Sequence, residues 1–320
     1  MRLALYFSAL LLTACRMMES VPLQTLQPAD VCLPAEVRKV GVVYRPCVGA
    51  RGQEARVADE LARRVNEGNY FDQVLILDSA LCSGGDEPLL SLGVVQEVTS
   101  SLQVDALLSV ERVQLDFARE VYALPEDGGL QAELCGRMGI ATALYLPARR
   151  QPLVVFSDRD SLFWDAWQVD ESRLAEAVRH VASLPPKHWL PSWEDHVRLF
   201  YTGGCADLRD AAVCVRAADW ELARACWLRT YDRKERRLRL RAAYNLALYY
   251  EVVDDPSQSL QWLEKALELA SAGQTFDAEG TPVNPGYDYA LIAAAYARMK
   301  QREVDLQKLK LQMQRFVDDF

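Results

Sequence analysis

The chain has 320 residues, half of them hydrophobic and a quarter charged, with 14 Pro and 16 Gly. That composition excludes a disordered chain, a collagen-like repeat and a disulfide miniprotein, and the length exceeds one small core, so two domains are expected. A formal charge of −9 argues against a general nucleic-acid binder, which must neutralise phosphates with Lys and Arg.

The N-terminus opens with Met1-Arg2, continues with the apolar run Leu3 to Leu12 and ends in Thr13-Ala14-Cys15. A basic start, a short apolar core and small residues before a cut site make residues 1–14 a predicted secretory signal, too short for a permanent membrane span. Leu12-Thr13-Ala14-Cys15 resembles a bacterial lipobox, the alternative being an ordinary signal with an incidental Cys. The resemblance implies that Cys15 is acylated and becomes the first mature residue, anchoring the protein to a membrane. Arg16 stands where enterobacterial lipoproteins carry the Asp that favours inner-membrane retention, so an outer-membrane address is expected, with the leaflet open. Residues 15–34, polar and Pro-containing, are expected to form a lipidated tether.

Cys15 aside, seven cysteines remain: Cys32, Cys47, Cys82, Cys135, Cys205, Cys214 and Cys226. Seven cannot all pair, no CxxC occurs, and with three His a zinc site has poor support. Cys205, Cys214 and Cys226 read first as small buried hydrophobes.

Residues 35–186 read as an α/β domain with a mixed sheet. Val37 to Tyr44 is a β-branched strand. Ala55, Ala58, Leu61, Ala62 and Val65 recur at helical spacing over 54–65, and Asn66-Glu67-Gly68-Asn69 stops that helix. Val74 to Leu77 is a second buried strand, completing a βαβ order, and a helix is predicted over 88–102. Val104, Ala106, Leu108 and Val110 alternate, then the apolar phase slips to Val113, Leu115 and Phe117. Either a bulge sits near Glu111-Arg112 or the strand ends there. Pro125 to Gly129 reads as a loop. Ile140 to Leu146 and Leu153 to Phe156 form a predicted hairpin, and Ser172 could cap a helix that runs to His180 and breaks at Leu184-Pro185-Pro186.

Residues 187–320 are predicted to be all-α and repetitive. Leu246, Ala247 and Tyr250 on one helix, a turn at Asp254-Asp255-Pro256, then Ser259, Leu263 and Ala266 on the next resemble one tetratricopeptide repeat. Ala211 and Cys214, Asp219-Trp220, then Ala223 and Trp227 repeat the order, offset by 36 residues. A third helix pair is expected after the insertion Gly273 to Gly286, one helix carrying Ile292, Ala293 and Tyr296 and another running from about Arg302 to Phe316. The layout as a whole resembles uncharacterised tetratricopeptide-containing lipoproteins of the Bacteroidota. By element order alone the α/β half is similar to small periplasmic modules of envelope lipoproteins that assist secretion or wall synthesis.

Catalytic motifs for phosphate loops, dinucleotides, nucleophile elbows and zinc proteases are missing from the sequence. The Gly84-Gly85, Gly128-Gly129 and Gly203-Gly204 pairs read as turns. His180, His188 and His196 lie eight apart, but Pro185-Pro186 separates the first from the others. Asp158, Asp160 and Asp165 could supply acid/base chemistry or a cation site, against the plainer reading of a solvated strand end. No catalytic, metal or cofactor residue is therefore assigned, no cofactor is expected, and the chain is not expected to be an enzyme. Arg229 to Arg241 holds seven Lys or Arg in thirteen residues. Within it Arg233, Lys234, Arg236, Arg237, Arg239 and Arg241 form a candidate partner-binding patch, with a solvated turn as the plainer reading. The function expected is a membrane-anchored scaffold whose helical repeats bind an envelope protein or peptide. The alternatives are an oligomerising component of an envelope secretion or assembly machine acting through the α/β domain, and a cryptic hydrolase.

Overall fold

The structure is a computed structural model, and it describes residues 17–45, 52–77, 89–123, 130–165, 168–272, 274–277, 280 and 282–314. The chain divides into two compact units, one holding Pro28–Ser192 and the chain from Leu311, the other holding the chain up to Gln27 and Trp193–Lys310.

The first unit is a mixed α/β domain. Its strands are β2 (Lys39–Tyr44), β3 (Gln73–Ile76), β4 (Ala106–Ala123), β5 (Leu130–Tyr145) and β6 (Val154–Trp164), in the spatial order β3-β2-β4-β5-β6. β2 pairs in parallel with β3 and β4, while β4-β5 and β5-β6 are antiparallel. Parallel pairing requires crossovers, supplied by α1 (Gln53–Glu67) and α2 (Leu92–Leu102). α1 buries Val57, Ala58, Leu61, Ala62 and Val65 at helical spacing and, with α3 (Glu171–Ser183), covers one face of the sheet. α2 covers the other face only at its start, against Val43, Leu107, Ala143 and Tyr145.

The phase slip in β4 is a bulge, with the register shifting between Val110 and Arg112, and the strand runs on to Ala123. Glu111 sits at this bulge and is held there. Arg45 donates to it at 3.2 Å, Tyr145 donates at 2.9 Å, and Leu90 N–H donates to the Tyr145 hydroxyl at 3.0 Å. Burial, then the Glu111 charge, pushes the Tyr145 hydroxyl well above its ordinary pKa. Asp170, not Ser172, caps α3, accepting from Arg173 N at 2.9 Å.

The second unit is mostly helical and consistent with a repeat-like bundle. Its helices are α4 (Ala206–Arg216), α5 (Trp220–Tyr231), α6 (Arg236–Val252), α7 (Pro256–Ser271) and α8 (Tyr287–Met313). Two turns repeat: Ala218 and Asp254 both adopt left-handed φ, 59° and 56°, and the following Asp219 and Asp255 each cap a helix at 3.0 Å. Small residues such as Ala211, Ala223 and Ala243 allow the helices to approach around Trp227, Leu246 and Leu263.

Two expectations fail. The third helix pair is one helix, α8, because no Gly or Pro interrupts Ala293 to Met313 and Lys300, Gln301 and Arg302 all favour helix. The tether over 15–34 is replaced from Met18 on by a strand, β1 (Met18–Gln27), which pairs with β7 (Ser192–Tyr201), a segment assigned to the all-α half. A two-residue strand pair, Thr275–Phe276 with Pro282–Val283, interrupts the insertion before α8. Among the described residues no helix is long and apolar enough to cross a membrane.

Candidate functional site

Alternation along β6 places Asp158 and Asp160 on the face that carries α3, mid-strand rather than at a solvated end. His188 follows the break at Pro185-Pro186 and stacks on Phe156 with ring centroids 3.9 Å apart. Its Nδ1 lies 2.5 Å from Asp30 and its Nε2 2.9 Å from Asp158, whose carboxylate is also 3.5 Å from Lys187. His180 pairs separately with Asp160 at 2.8 Å, and His196 lies beside Gln27 and Glu194. Each imidazole therefore has its own partners. Among the described residues no group of three or more His, Cys, Asp or Glu could hold a metal. Asp165 is exposed.

The hydrogen bond from His180, then the Ser161 backbone N–H, holds the Asp160 carboxyl below its ordinary pKa. A depressed carboxylate stabilises the fold above its unfolded pKa, and the contribution disappears as pH falls through the folded value. Asp160→Asn should therefore lower the melting temperature at pH 7 slightly, by the under about 1 kcal/mol of a surface pair, and the deficit should close below about pH 4. A deficit that grows with acid would contradict this.

The opposite face of β4, β5 and β6 is uncovered beyond Ala143 among the described residues. It carries Gln114 and Asp116, Arg137 and Gly139, and Arg159, Ser161 and Phe163 from the three strands, around a depression of about 630 Å³. Phe163 is 59% exposed, with Val155 also exposed on this face. Sequence reasoning missed this surface. Its floor residue Gly139 stands between Met138 and Ile140 in the sequence and meets its polar neighbours Gln114 and Arg159 only across the strands, so no single segment signals it.

The six basic candidates do not form one patch. Arg233 is tied to Asp207 at 2.6 Å, beside Arg229. Arg239 lies over the Tyr231 ring, 5.0 Å from its centroid. Arg241 is 3% exposed and donates to the Gly203 carbonyl at 2.7 Å. It falls on the buried face of α6 with Ala243 and Tyr244. It also lies so close under Gly204 (φ 126°) that a Cβ there would come within 2.8 Å of its guanidinium. Lys234, Arg236 and Arg237 remain exposed. Arg236 donates to the Ala272 carbonyl, and with Arg237, Leu240, Leu269, Tyr287 and Tyr289 it lines a cavity of about 560 Å³. The two tyrosines come from fifty residues further along the chain, so this cavity could not be read from the basic run alone.

Cys15, Cys47, Cys82, Gly84-Gly85 and Gly128-Gly129 lie outside the described residues. Cys32, Cys135, Cys205, Cys214 and Cys226 are free thiols.

Several solved structures are similar. The PelC dodecamer from Paraburkholderia phytofirmans is 16% identical with TM-score 0.30, covering 53% of this chain and 98% of that one. The rare lipoprotein B from Shewanella oneidensis is 16% identical with TM-score 0.24, covering 45% and 88%. A minor lipoprotein from Acinetobacter baumannii is 12% identical with TM-score 0.22, covering 47% and 88%. No curated protein matches the chain. Residues 209–302, within the helical unit, match a domain of unknown function, DUF6340. Residues 37–201, half of the chain and nearly all of the sheet domain, match another domain of unknown function, DUF8603, and the chain belongs to that family.

Proposed function

We propose that the protein is a non-catalytic assembly component of the bacterial cell envelope, anchored by lipid on Cys15 at the outer membrane, that works by binding other protein chains. The observation that carries this reading is the uncovered face of β4, β5 and β6, where the exposed Phe163 ring borders a polar depression and Val155 is exposed on the same face. A second copy of the chain is the partner assigned to it. Edge-to-edge pairing through β6 is disfavoured, because Asp158, Arg159 and Asp160 place charges along the middle of that edge.

A second reading, in which the helical unit is a tetratricopeptide-like scaffold for an acidic segment of another protein, is favoured by the cavity of Arg236, Arg237 and Tyr287. One experiment addresses both. Crosslinking in intact cells, with light scattering on the purified protein, should show self-association that Phe163→Lys with Arg159→Glu abolishes. Crosslinks to other proteins should instead be lost in Arg237→Glu. A wild-type protein that is monomeric at all concentrations would overturn the self-association, and heterologous crosslinks indifferent to Arg237→Glu would overturn the second reading.

A further inference from the structure

The replacement of the expected tether by β1 has a geometric consequence. Thr202 N–H donates to the Met17 carbonyl at 3.0 Å, so the fold is already hydrogen-bonded at Met17. From Cys15 to Met17 the chain can extend at most about 7 Å. The headgroup layer on one side of a bilayer is about 5–7 Å thick. An acylated Cys15, held at the hydrocarbon boundary, would therefore keep the start of β1 at the outer limit of the headgroups, with no length of chain to lift the folded protein away.

The ribbon at this place has an unusual outer face. The bond between Thr202 and Met17 and that from Gln24 to Asp195 (2.8 Å) run β1 and β7 antiparallel. Alternate positions of β7 put Trp193, Val197 and Leu199 outward, 68%, 68% and 37% exposed. Asp195 falls in the same row, and its carboxylate accepts from the Gln24 amide. Arg198 points to the other side, where its Nε is 2.7 Å from Glu251. The row turned to solvent on β7 thus carries an indole and two branched aliphatics around a single carboxylate over about 20 Å, while an arginine is turned inward. A strand that only had to face water would show the reverse.

We infer that the outer face of the β1–β7 ribbon lies on the lipid surface that holds the anchor, with Leu199 and Val197 nearest Cys15 and Trp193 at the far end of the row in the headgroup region. Indole suits that depth, since its ring is apolar and its N–H reaches water or lipid carbonyls. The contact supplements acyl chains that anchor from one point, and it fixes the orientation of the helical unit over the membrane. The inference rests on the acylation of Cys15.

The test uses full-length protein, purified from membranes and reconstituted into phosphatidylethanolamine and phosphatidylglycerol vesicles with brominated acyl chains, which quench nearby indoles. Trp193 is one of seven tryptophans, so its share is read as the difference between wild type and Trp193→Phe. That difference emission should be quenched by at least half, and Val197→Glu with Leu199→Glu should reduce its quenching severalfold while leaving the far-UV spectrum unchanged. The mass of the N-terminal peptide is measured on the same sample. Acyl mass on Cys15 without quenching of the Trp193 share overturns the inference alone, whereas an unmodified Cys15 overturns the anchoring reading and the inference with it.

Discussion

Replacing Trp227 by Ala is expected to destabilise the helical unit by about 3–5 kcal/mol, a large part of the stability of a domain this size. Trp227 is fully buried on α5 in the cluster that includes Leu208, Ala211, Ala223 and Leu246. Because its neighbours, Ala211 and Ala223 among them, are fixed on packed helices, they cannot collapse into the space an indole leaves. The indole N–H, however, is buried without a hydrogen-bond partner. That orphan group separates two contributions. Trp227→Phe loses part of the ring but also removes an unsatisfied donor that costs about 1–3 kcal/mol, so it should cost about 1–2 kcal/mol at most. Urea unfolding followed by far-UV circular dichroism measures both variants. If Ala and Phe cost the same, the packing account of this position is wrong.

Trp227 was legible in the sequence because its role is local: it recurs as Leu263, 36 residues on, and helical spacing brings both to a core. The βαβ order and the bulge in β4 were legible for the same reason, since alternation along one strand encodes which face is buried. β1 and β7 were not. Their partners lie some 170 residues apart, β1 carries Pro22, and in β7 the usual code is inverted, with Trp193 and Val197 in solvent and Arg198 turned in toward Glu251. Pattern reading takes apolar residues as inward, so a strand with an apolar outer face does not register. The basic stretch failed differently. Seven charges in a row of residues carry no information on which of them a helix will bury, and Arg241 lies one turn beyond Arg237, on α6's inner side. The cavity that keeps Arg236 and Arg237 in view is completed by Tyr287 and Tyr289, which only the tertiary fold brings there.

Asn245→Leu is expected to cost about 2–5 kcal/mol, although it replaces a polar residue by an apolar one in the middle of a buried helix face. The reason lies at the end of β7. Tyr201 is 2% exposed, and its backbone would leave the ribbon there with two buried groups unpaired. The Asn245 side chain satisfies both, accepting from Tyr201 N–H at 2.8 Å and donating to Tyr201 C=O at 2.7 Å. A primary amide is the side chain that can present one acceptor and one donor in the geometry of a neighbouring strand. Leu satisfies neither group, and each orphaned buried group costs about 1–3 kcal/mol. Asn245→Asp is the sharper probe, because it is nearly the same shape and keeps the acceptor. It sets an oxygen against the Tyr201 carbonyl, and should lose at least as much stability as Leu at pH 7 while recovering part of it in acid, where a protonated carboxyl can donate. An Asp variant as stable as wild type at neutral pH would mean that the amide does not join β7 to α6. If the pair behaves as argued, one helical amide holds the strand from which Trp193, Val197 and Leu199 project, and a surface built for contact outside the molecule depends on a hydrogen-bonded pair inside it.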